Sequence, residues 1–334
     1  MSQGKRRSAK LSRSQPPRAA SRRRQAPASG WGRDVARVAA GIRRRVLRFT
    51  LRNNGGYLSQ ACSSAEILAT LYVRSLNLGK STAPVVPPPF AGVPGSAASR
   101  MPTGASYNGP ARPDLDRFIF SPAHYALVLY STLIEVGRLT PTALDEHFNV
   151  DGSTVELIGA EHSPGHEVTC GSLAQTVSQA AGIALARKLK RETGRVIVFM
   201  SDGEFEEGQT WEALAVMAQH RLDNLAVVID ANGQQCDGKL STVGHLEPLL
   251  GRLVAFGANV LEVDGHDPKA LDRAMARRKK ASPTVVIART DPCRGIEPMR
   301  ARAPHLHYVR FAHEKERAVF ERLLATWEQI GEGK

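Results

Sequence analysis

Hydrophobic side chains near the start of the chain recur at helical spacing. Val35, Val38, Ile42, Val46 and Phe49 follow one another at intervals of three or four residues, with arginines between them. This pattern predicts an amphipathic helix whose solvent face is basic.

A second helix and a long loop are predicted next. Ser63 is a suitable N-cap for a helix rich in Ala, Leu and Ile that would end near Leu76. The stretch 79–113 then holds eight of the 20 prolines, which interrupt helices and central strands. We interpret 79–113 as a Pro/Gly-rich loop that acts as a lid or a partner contact.

From Arg195 onward, short apolar runs alternate with helical stretches. Strands are predicted at 196–200, 225–229, 259–263 and 284–288, and helices near 210–220, 246–256 and 268–280. Short buried strands separated by helices predict an α/β fold, a doubly wound parallel sheet flanked by helices. Ligands of such sheets bind at the carboxyl ends of the strands.

Charge is concentrated at one end of the chain. The net charge is +13, but residues 1–33 contain ten Lys or Arg and no acid, which leaves 35 basic and 32 acidic residues for the remainder. A segment with so few large apolar side chains cannot offset its ordering entropy, so we predict a disordered basic tail at 1–33 and one domain at 34–334. Two kinds of alternative stay open for this tail. It could contact RNA, a membrane or a partner, or it could be an organelle transit peptide.

Several protein classes find no support in the sequence. There is no apolar run long enough for a membrane span and no secretory signal pattern. The four cysteines are far apart, with neither zinc-ligand nor disulfide spacing. We therefore expect a cytoplasmic protein, and we expect neither a membrane nor a nucleic acid as its partner.

Polar residues follow two neighbouring predicted strands at the point where each ends. Asp202 and Gly203 follow the first, and Asn232 and Gln234 follow the second, 30 residues after Asp202. Thirty residues is the length needed for one strand, one helix and the next parallel strand, so the loops that contain Asp202 and Asn232 can lie side by side. A carboxylate, an amide oxygen and a backbone carbonyl suit Mg²⁺, and Gly203 would let a diphosphate approach the backbone. An isolated Asp-Gly pair is more often only a turn.

The whole segment 201–238 resembles the thiamine diphosphate motif of transketolases, which begins with Gly-Asp-Gly and ends in an Asn about thirty residues later. The resemblance implies thiamine diphosphate and Mg²⁺ as cofactors, with Asp202, Asn232 and the Gln234 carbonyl as metal ligands. Ser201 replaces the first glycine of the motif, and its hydroxyl can hydrogen-bond an anion.

Other segments extend this resemblance over most of 35–300. Asp116-Arg117-Phe118, followed by Ser121 and His124, is similar to a family segment whose histidine lies close to the cofactor. Residues 171–175, Gly-Ser-Leu-Ala-Gln, resemble a family segment that packs against the cofactor rings. The cofactor contacts implied in this way are Gly171, Ser172, Leu173, Gln175, Ser201, Gly203, Glu204 and His124. His266 belongs to a further matching segment, but we interpret it as a turn residue.

The catalytic residues implied by the resemblance include one departure from the family. Tyr57 stands where the family has a substrate-contacting histidine, and a tyrosine is not protonated near neutrality. Glu207 matches an acidic position, like Glu212, that relays protons between two active sites of a dimer. His305, with His307, lies where the family often has another substrate-side histidine. We predict His124, Glu207, Tyr57 and His305 as catalytic, while His162 and His166 stay open as further histidines near the site.

The glutamate that activates the cofactor lies, in this family, on a pyrimidine-binding domain that has no counterpart here. The resemblance therefore implies a transketolase-like subunit that transfers a two-carbon ketol unit between sugars or sugar phosphates. It would act with a second subunit carrying the pyrimidine-binding and C-terminal domains, as a dimer of heterodimers. The alternatives are the alpha subunit of a 2-oxo acid dehydrogenase and a non-catalytic regulatory or RNA-binding paralogue.

Overall fold

A computed structural model describes residues 30–92 and 103–332 of the chain. Its centre is a parallel sheet of five strands in the order β1-β2-β3-β7-β6. A two-stranded hairpin, β4-β5, stands apart from it. The strands are β1 (Arg117–Phe120), β2 (Val196–Ser201), β3 (Leu225–Ala231), β4 (Gln234–Gln235), β5 (Gly238–Lys239), β6 (Asn259–Asp264) and β7 (Thr284–Arg289).

Helices cover both faces of the sheet. One face packs against α1, α2, α3, α8 and α9, and the other packs against α4, α5 and α7, with α6 a single turn after β5. The helices are α1 (Trp31–Asn53), α2 (Leu58–Thr70), α3 (Ala126–Glu135), α4 (Gln175–Leu189), α5 (Gly208–Gln219), α6 (Leu240–Val243), α7 (Leu249–Ala255), α8 (Pro268–Ala276) and α9 (Glu314–Glu332).

The buried strands explain why the fold has three layers. Every residue of β2 and β3 is buried. Successive side chains of a strand point to opposite faces, so in β2 Ile197 and Phe199 join the core on one side while Val198 and Met200 join the core on the other. A strand that is apolar at both faces must be covered twice, which is what the two helix layers do.

The predicted α/β fold is confirmed, including all four predicted strands. The strand β1, a four-residue edge strand just after the proline-rich stretch, was not predicted. The first helix begins at Trp31, so residues 31–33 were wrongly assigned to the tail. Residues 1–29 lie outside the described part of the chain.

The second helix begins earlier than predicted. It starts at Leu58, which places Ser63 in its middle rather than at its N-cap. The helices near 246–256 and 268–280 are shorter than predicted. Within the loop 79–113 the described residues include one 3₁₀ turn, Gly104–Asn108. No helix among the described residues is both long and apolar enough to cross a membrane.

Candidate active site

The predicted ligand loops meet at the carboxyl edge of the sheet. β2 and β3 pair in parallel up to Ser201 and Asp230, so the loops that follow them are neighbours. The Asp202 carboxylate accepts a hydrogen bond from the Gly203 amide (3.0 Å) and another from the Gly233 amide of the second loop (2.7 Å). Gly233 has a φ of +69°, a conformation that favours glycine. Asp202 therefore joins the two loops directly.

The second loop is fixed by its own side chains. The Asn232 side-chain oxygen accepts a hydrogen bond from the Gln234 amide (2.8 Å). Its nitrogen donates to the Tyr125 hydroxyl (2.9 Å) and to Asp230 (3.2 Å). Among the described residues the buried side-chain oxygen of Gln234 has no hydrogen-bond partner. Asn232 and Gln234 thus lie beside Asp202 with oxygen atoms in a confined, polar space.

Asp230 is a site residue that the sequence analysis missed. It is fully buried at the end of β3 and accepts hydrogen bonds from Ser63 (2.5 Å), Tyr125 (2.8 Å) and Thr290 (2.5 Å), as well as from Asn232. These donors come from α2, the turn before α3 and the loop after β7. Asp230 therefore orients Asn232. Its position in the sequence, between a buried strand and Asn232, could have identified it as a site residue.

Two buried carboxyl groups lie close together in this site. Burial, and then the charge of Asp230, raise the pKa of Asp202 to about 8. Burial also raises the pKa of Asp230. No Lys or Arg is a hydrogen-bond or ion-pair partner of either group in the part of the chain that the structure describes. A divalent cation at Asp202, with Asn232 and the Gln234 carbonyl as further ligands, would supply the missing positive charge, so these residues fit Mg²⁺.

A cavity of about 470 Å³ opens above these loops. Of the predicted site residues, it is lined by Tyr57, His124, Gly171, Leu173, Ser201, Gly203, Glu207, Asn232 and Gln234. Gln60, Cys236 and His307 line it as well. The predicted cofactor and catalytic segments, distant in sequence, therefore border one space.

Aromatic rings form one wall of the cavity. Tyr57 lies 5.8 Å from His124 and 5.5 Å from His307, between ring centres, and His124 lies 5.0 Å from His307. The Gly56 amide donates to the Val309 carbonyl (3.1 Å), and the Val309 amide donates to the Gly56 carbonyl (2.9 Å). This pairing brings His307 next to Tyr57. Burial, and then His307, lower the pKa of His124 to about 3, and burial lowers the pKa of His307. Both histidines are therefore neutral at neutral pH.

Other predicted residues lie elsewhere. His305 is exposed and does not line the cavity, whereas His307 does. Ser172 and Gln175 are exposed and do not line it either. Glu212 is exposed on α5, beyond the cavity lining.

Glu204 does not face the cavity. Its buried carboxylate accepts hydrogen bonds from Ser121, from the Ala174 amide (3.1 Å) and from the Ser201 amide (2.9 Å). Glu204 has no exposed surface, so it does not reach a molecule in the cavity, and its assignment as a cofactor contact is corrected: Glu204 holds the loops that border the cavity.

The other three histidines considered from the sequence lie away from the cavity. His166 is fully buried under Phe120 and Tyr130. The His162 Nε2 atom lies 3.6 Å from a carboxylate oxygen of Glu156. His266 bonds to Glu66 (2.9 Å) and accepts from the Asp291 amide (2.9 Å), in a turn after β6. None of the three lines the cavity.

Comparison with known proteins defines the class to which this fold and site belong. Residues 60–300 match the family model described as "Transketolase, thiamine diphosphate binding domain". The chain is 33% identical to the transketolase family protein y4mO of Sinorhizobium fredii over 273 residues, covering 80% of this chain and 88% of that one. The chain therefore belongs to the transketolase family and corresponds to its N-terminal, thiamine diphosphate-binding part.

This chain spans nearly all of some relatives but less than half of others. The chain is 28% identical to one subunit of the apulose-4-phosphate transketolase of Actinobacillus succinogenes, covering 86% of this chain and 95% of that relative. It spans only about 37% of several transketolase-like relatives. A transketolase structure from Pichia stipitis shares the fold, with a TM-score of 0.67 and 20% identity, over 90% of this chain and 45% of that one.

Proposed function

We propose that this chain is the thiamine diphosphate- and Mg²⁺-binding subunit of a two-subunit transketolase that transfers a two-carbon ketol unit between sugars. It would work in the cytoplasm. The observation that carries the proposal is the hydrogen bond from the Gly233 amide to Asp202, which holds the two loops of the family motif together beneath the cavity. When bound, the cofactor supplies the nucleophilic carbon and the electron sink for cleavage next to a ketose carbonyl.

The chain's own residues would hold and orient the reactants. Asp202, Asn232 and the Gln234 carbonyl would bind Mg²⁺, while Ser201 and Gly203 would face the diphosphate. Gly171 and Leu173 would pack against the cofactor rings, and His124 would hydrogen-bond near them. Because His124 is neutral at neutral pH, it can donate one hydrogen bond and accept another without adding charge.

Substrate contacts would come from the aromatic wall. Burial raises the pKa of Tyr57, so its hydroxyl stays protonated and can donate to a sugar oxygen. His307 lies beside Tyr57 and lines the cavity, so we assign the substrate-side histidine role to His307 rather than to His305. Glu207 is exposed at the cavity mouth, where it could relay protons to the second active site of a dimer.

A second subunit would complete the site. Leu173 and Ile158 expose hydrophobic side chains beside the cavity, 38% and 60% accessible, where a pyrimidine-binding domain could cover them. The relative from the apulose-4-phosphate transketolase has nearly the same extent as this chain and is itself named as a subunit, which supports a divided enzyme and sugar-phosphate substrates. We expect a dimer of heterodimers.

Reconstitution tests the proposal. The full chain would be mixed with a candidate second subunit that carries the pyrimidine-binding domain, with thiamine diphosphate and Mg²⁺, and assayed with ketose donors and aldose acceptors. A parallel assay would supply 2-oxo acids and a lipoyl domain. Ketol transfer with the ketoses supports the proposal. Acyl transfer to the lipoyl domain, without ketol transfer, would replace it by the 2-oxo acid dehydrogenase function.

A further inference from the structure

His266 links helix α2 to the loop that follows β7. Its Nδ1 atom lies 2.9 Å from a carboxylate oxygen of Glu66 on α2, and its Nε2 atom accepts a hydrogen bond from the Asp291 amide at 2.9 Å. A ring nitrogen that accepts from an N–H carries no proton, so the ring proton lies on Nδ1 and is donated to Glu66. The imidazole therefore uses both of its nitrogens to hold Asp291 at a fixed distance from α2.

Glu66 is itself held by Arg43 of α1. The Arg43 guanidinium donates to both carboxylate oxygens of Glu66, at 2.7 and 2.5 Å. Burial alone would raise the pKa of Glu66, but the hydrogen bonds from His266 and Arg43 lower it to about 2, so this carboxylate stays ionised. The side chains of Arg43, Glu66 and His266 are only 9%, 14% and 10% accessible. Because well-packed apolar residues often stabilise a fold as well as a buried ion pair does, stability alone does not account for these three side chains.

The loop after β7 lies against the predicted metal-binding loop. Thr290 directly precedes Asp291, and its hydroxyl donates to Asp230 at 2.5 Å. The Thr290 amide donates to the Ala231 carbonyl at 3.2 Å. The Asp230 carboxylate in turn accepts from the side chain of Asn232 at 3.2 Å. The position of Asp291 is therefore transmitted, through its neighbour Thr290, to the side chain of Asn232.

Two further contacts restrict this arrangement. A Cβ atom on Gly265 would lie 2.4 Å from the Thr290 side chain, which is too close for two carbon atoms, so the turn after β6 is packed tightly on Thr290. Ser63 donates to Asp230 at 2.5 Å and lies on the same face of α2 as Glu66, three residues later. Helix α2 therefore supports Asp230 both directly and through the loop after β7.

We propose that Glu66 and His266 are positioning residues, which hold the loop after β7 so that Thr290 keeps Asp230, and with it Asn232, in the orientation that binds Mg²⁺. Neither Glu66 nor His266 lines the cavity, so neither is a catalytic residue. The identity of the metal rests on the proposed function, whereas the position of the loop does not.

Hydrogen–deuterium exchange of the full chain, followed by mass spectrometry, tests this role without any cofactor. The Gly233 amide donates to Asp202, and the Gln234 amide donates to the side chain of Asn232. The exchange rate of these two amides therefore reports whether the metal-binding loop stays ordered. The amides of α4, which packs on the other face of the sheet from α2, provide the internal reference.

The main variant is His266→Phe, which keeps an aromatic ring but makes neither hydrogen bond. Its loop amides should exchange about five- to tenfold faster than those of the wild type, while the α4 amides keep their rate. The matched control is His220→Phe, because His220 is exposed just after α5, and it should change neither rate. Thr290→Val breaks the connection at its last step and should reproduce the effect of His266→Phe, whereas Thr290→Ser keeps the hydroxyl and should not. If His266→Phe does not fold, His266→Asn, whose side chain is too short to reach the Asp291 amide, is judged by the same criteria.

Calorimetric titration of Mg²⁺, with thiamine diphosphate and the second subunit present, gives the other readout. Loss of a group that directly supports a metal ligand weakens metal binding about 10- to 100-fold, so His266→Phe, which acts through further groups, should weaken it by about three- to tenfold. A wild type that shows no Mg²⁺-dependent binding refutes the proposed function, and the exchange data still decide whether the loop is held.

The positioning role is wrong if the loop amides of His266→Phe exchange at the wild-type rate. It is also wrong if exchange in α4 rises by the same factor, because that result indicates a general loss of stability. Equal exchange in Thr290→Val and Thr290→Ser, or unchanged Mg²⁺ affinity in His266→Phe, would likewise contradict it.

Discussion

The buried carboxylate of Glu204 gives the most direct test of how the cavity loops are held. One oxygen accepts from Ser121 and from the Ala174 amide, and the other accepts from the Ser201 amide and hydroxyl. Ala174 has a φ of +66°, an unfavourable conformation for a residue with a side chain, and it ends the loop that begins at Gly171. Glu204 thus stabilises this loop in a strained conformation.

The change Glu204→Gln keeps the shape of the side chain but replaces one oxygen by an NH₂ group. Each carboxylate oxygen accepts from a backbone N–H, so either orientation of the amide leaves one buried N–H facing a donor. An orphaned buried donor costs about 1–3 kcal/mol. Burial raises the pKa of Glu204, so removing its charge offsets part of that cost. We expect a net loss of about 1–2 kcal/mol in the free energy of unfolding.

Urea unfolding followed by circular dichroism, with linear extrapolation, measures this loss. Glu161→Gln is the matched control, because Glu161 is exposed, and it should unfold like the wild type. If Glu204→Gln is as stable as the control, the carboxylate does not hold the loops in the way described.

Three further predictions follow from buried or exposed groups near the site. Burial lowers the pKa of His166 to about 4, so below its ordinary value of 6.5 the unfolded chain binds a proton that the folded chain does not. Through His166 alone, the free energy of unfolding should fall by up to about 3 kcal/mol from pH 7 to pH 4, measured as the difference between the pH profiles of the wild type and His166→Gln; equal pH profiles would contradict this. Cys236 is exposed in the cavity and the other three cysteines are buried, so iodoacetamide should label one thiol, more slowly when cofactor and Mg²⁺ are present. Mass spectrometry that finds a different cysteine labelled first would refute that prediction. Asp230→Asn should weaken Mg²⁺ binding about 10- to 100-fold in a titration with cofactor present, because Asp230 orients Asn232; unchanged affinity would show that it does not.

Much of the fold was predictable because its strands are apolar at both faces. Runs such as 196–200 and 225–229 are too short for buried helices and are followed by turn residues, so they predict central strands. The helical stretches between them predict a parallel sheet with ligand loops at one edge. The strand β1 was not predicted because it is only four residues long and follows a stretch rich in prolines. The start of α2 was predicted wrongly because Ser63 resembles an N-cap. In the fold, the Ser63 hydroxyl instead donates a hydrogen bond to Asp230 from within the helix.

Side-chain direction within the site could not be predicted. Asp202, Glu204 and Glu206 alternate in one short 3₁₀ turn, and the first two are buried while the third is exposed. Only the packing of Ser121 and Ala174 against that turn determines that Glu204 points away from the cavity. His305 and His307 are likewise two residues apart, and the pairing of Gly56 with Val309 determines which one reaches Tyr57.

The central claim is that the two loops joined at Asp202 bind one Mg²⁺ and the diphosphate of the cofactor. Isothermal titration calorimetry of thiamine diphosphate into the full chain with its second subunit, in Mg²⁺ and in EDTA, tests it most directly. The wild type and the exposed-site control Asp151→Ala should bind only with Mg²⁺, and Asp202→Ala should not bind although its circular dichroism is unchanged. Binding by Asp202→Ala with wild-type affinity, or wild-type binding that EDTA leaves unchanged, would contradict the claim.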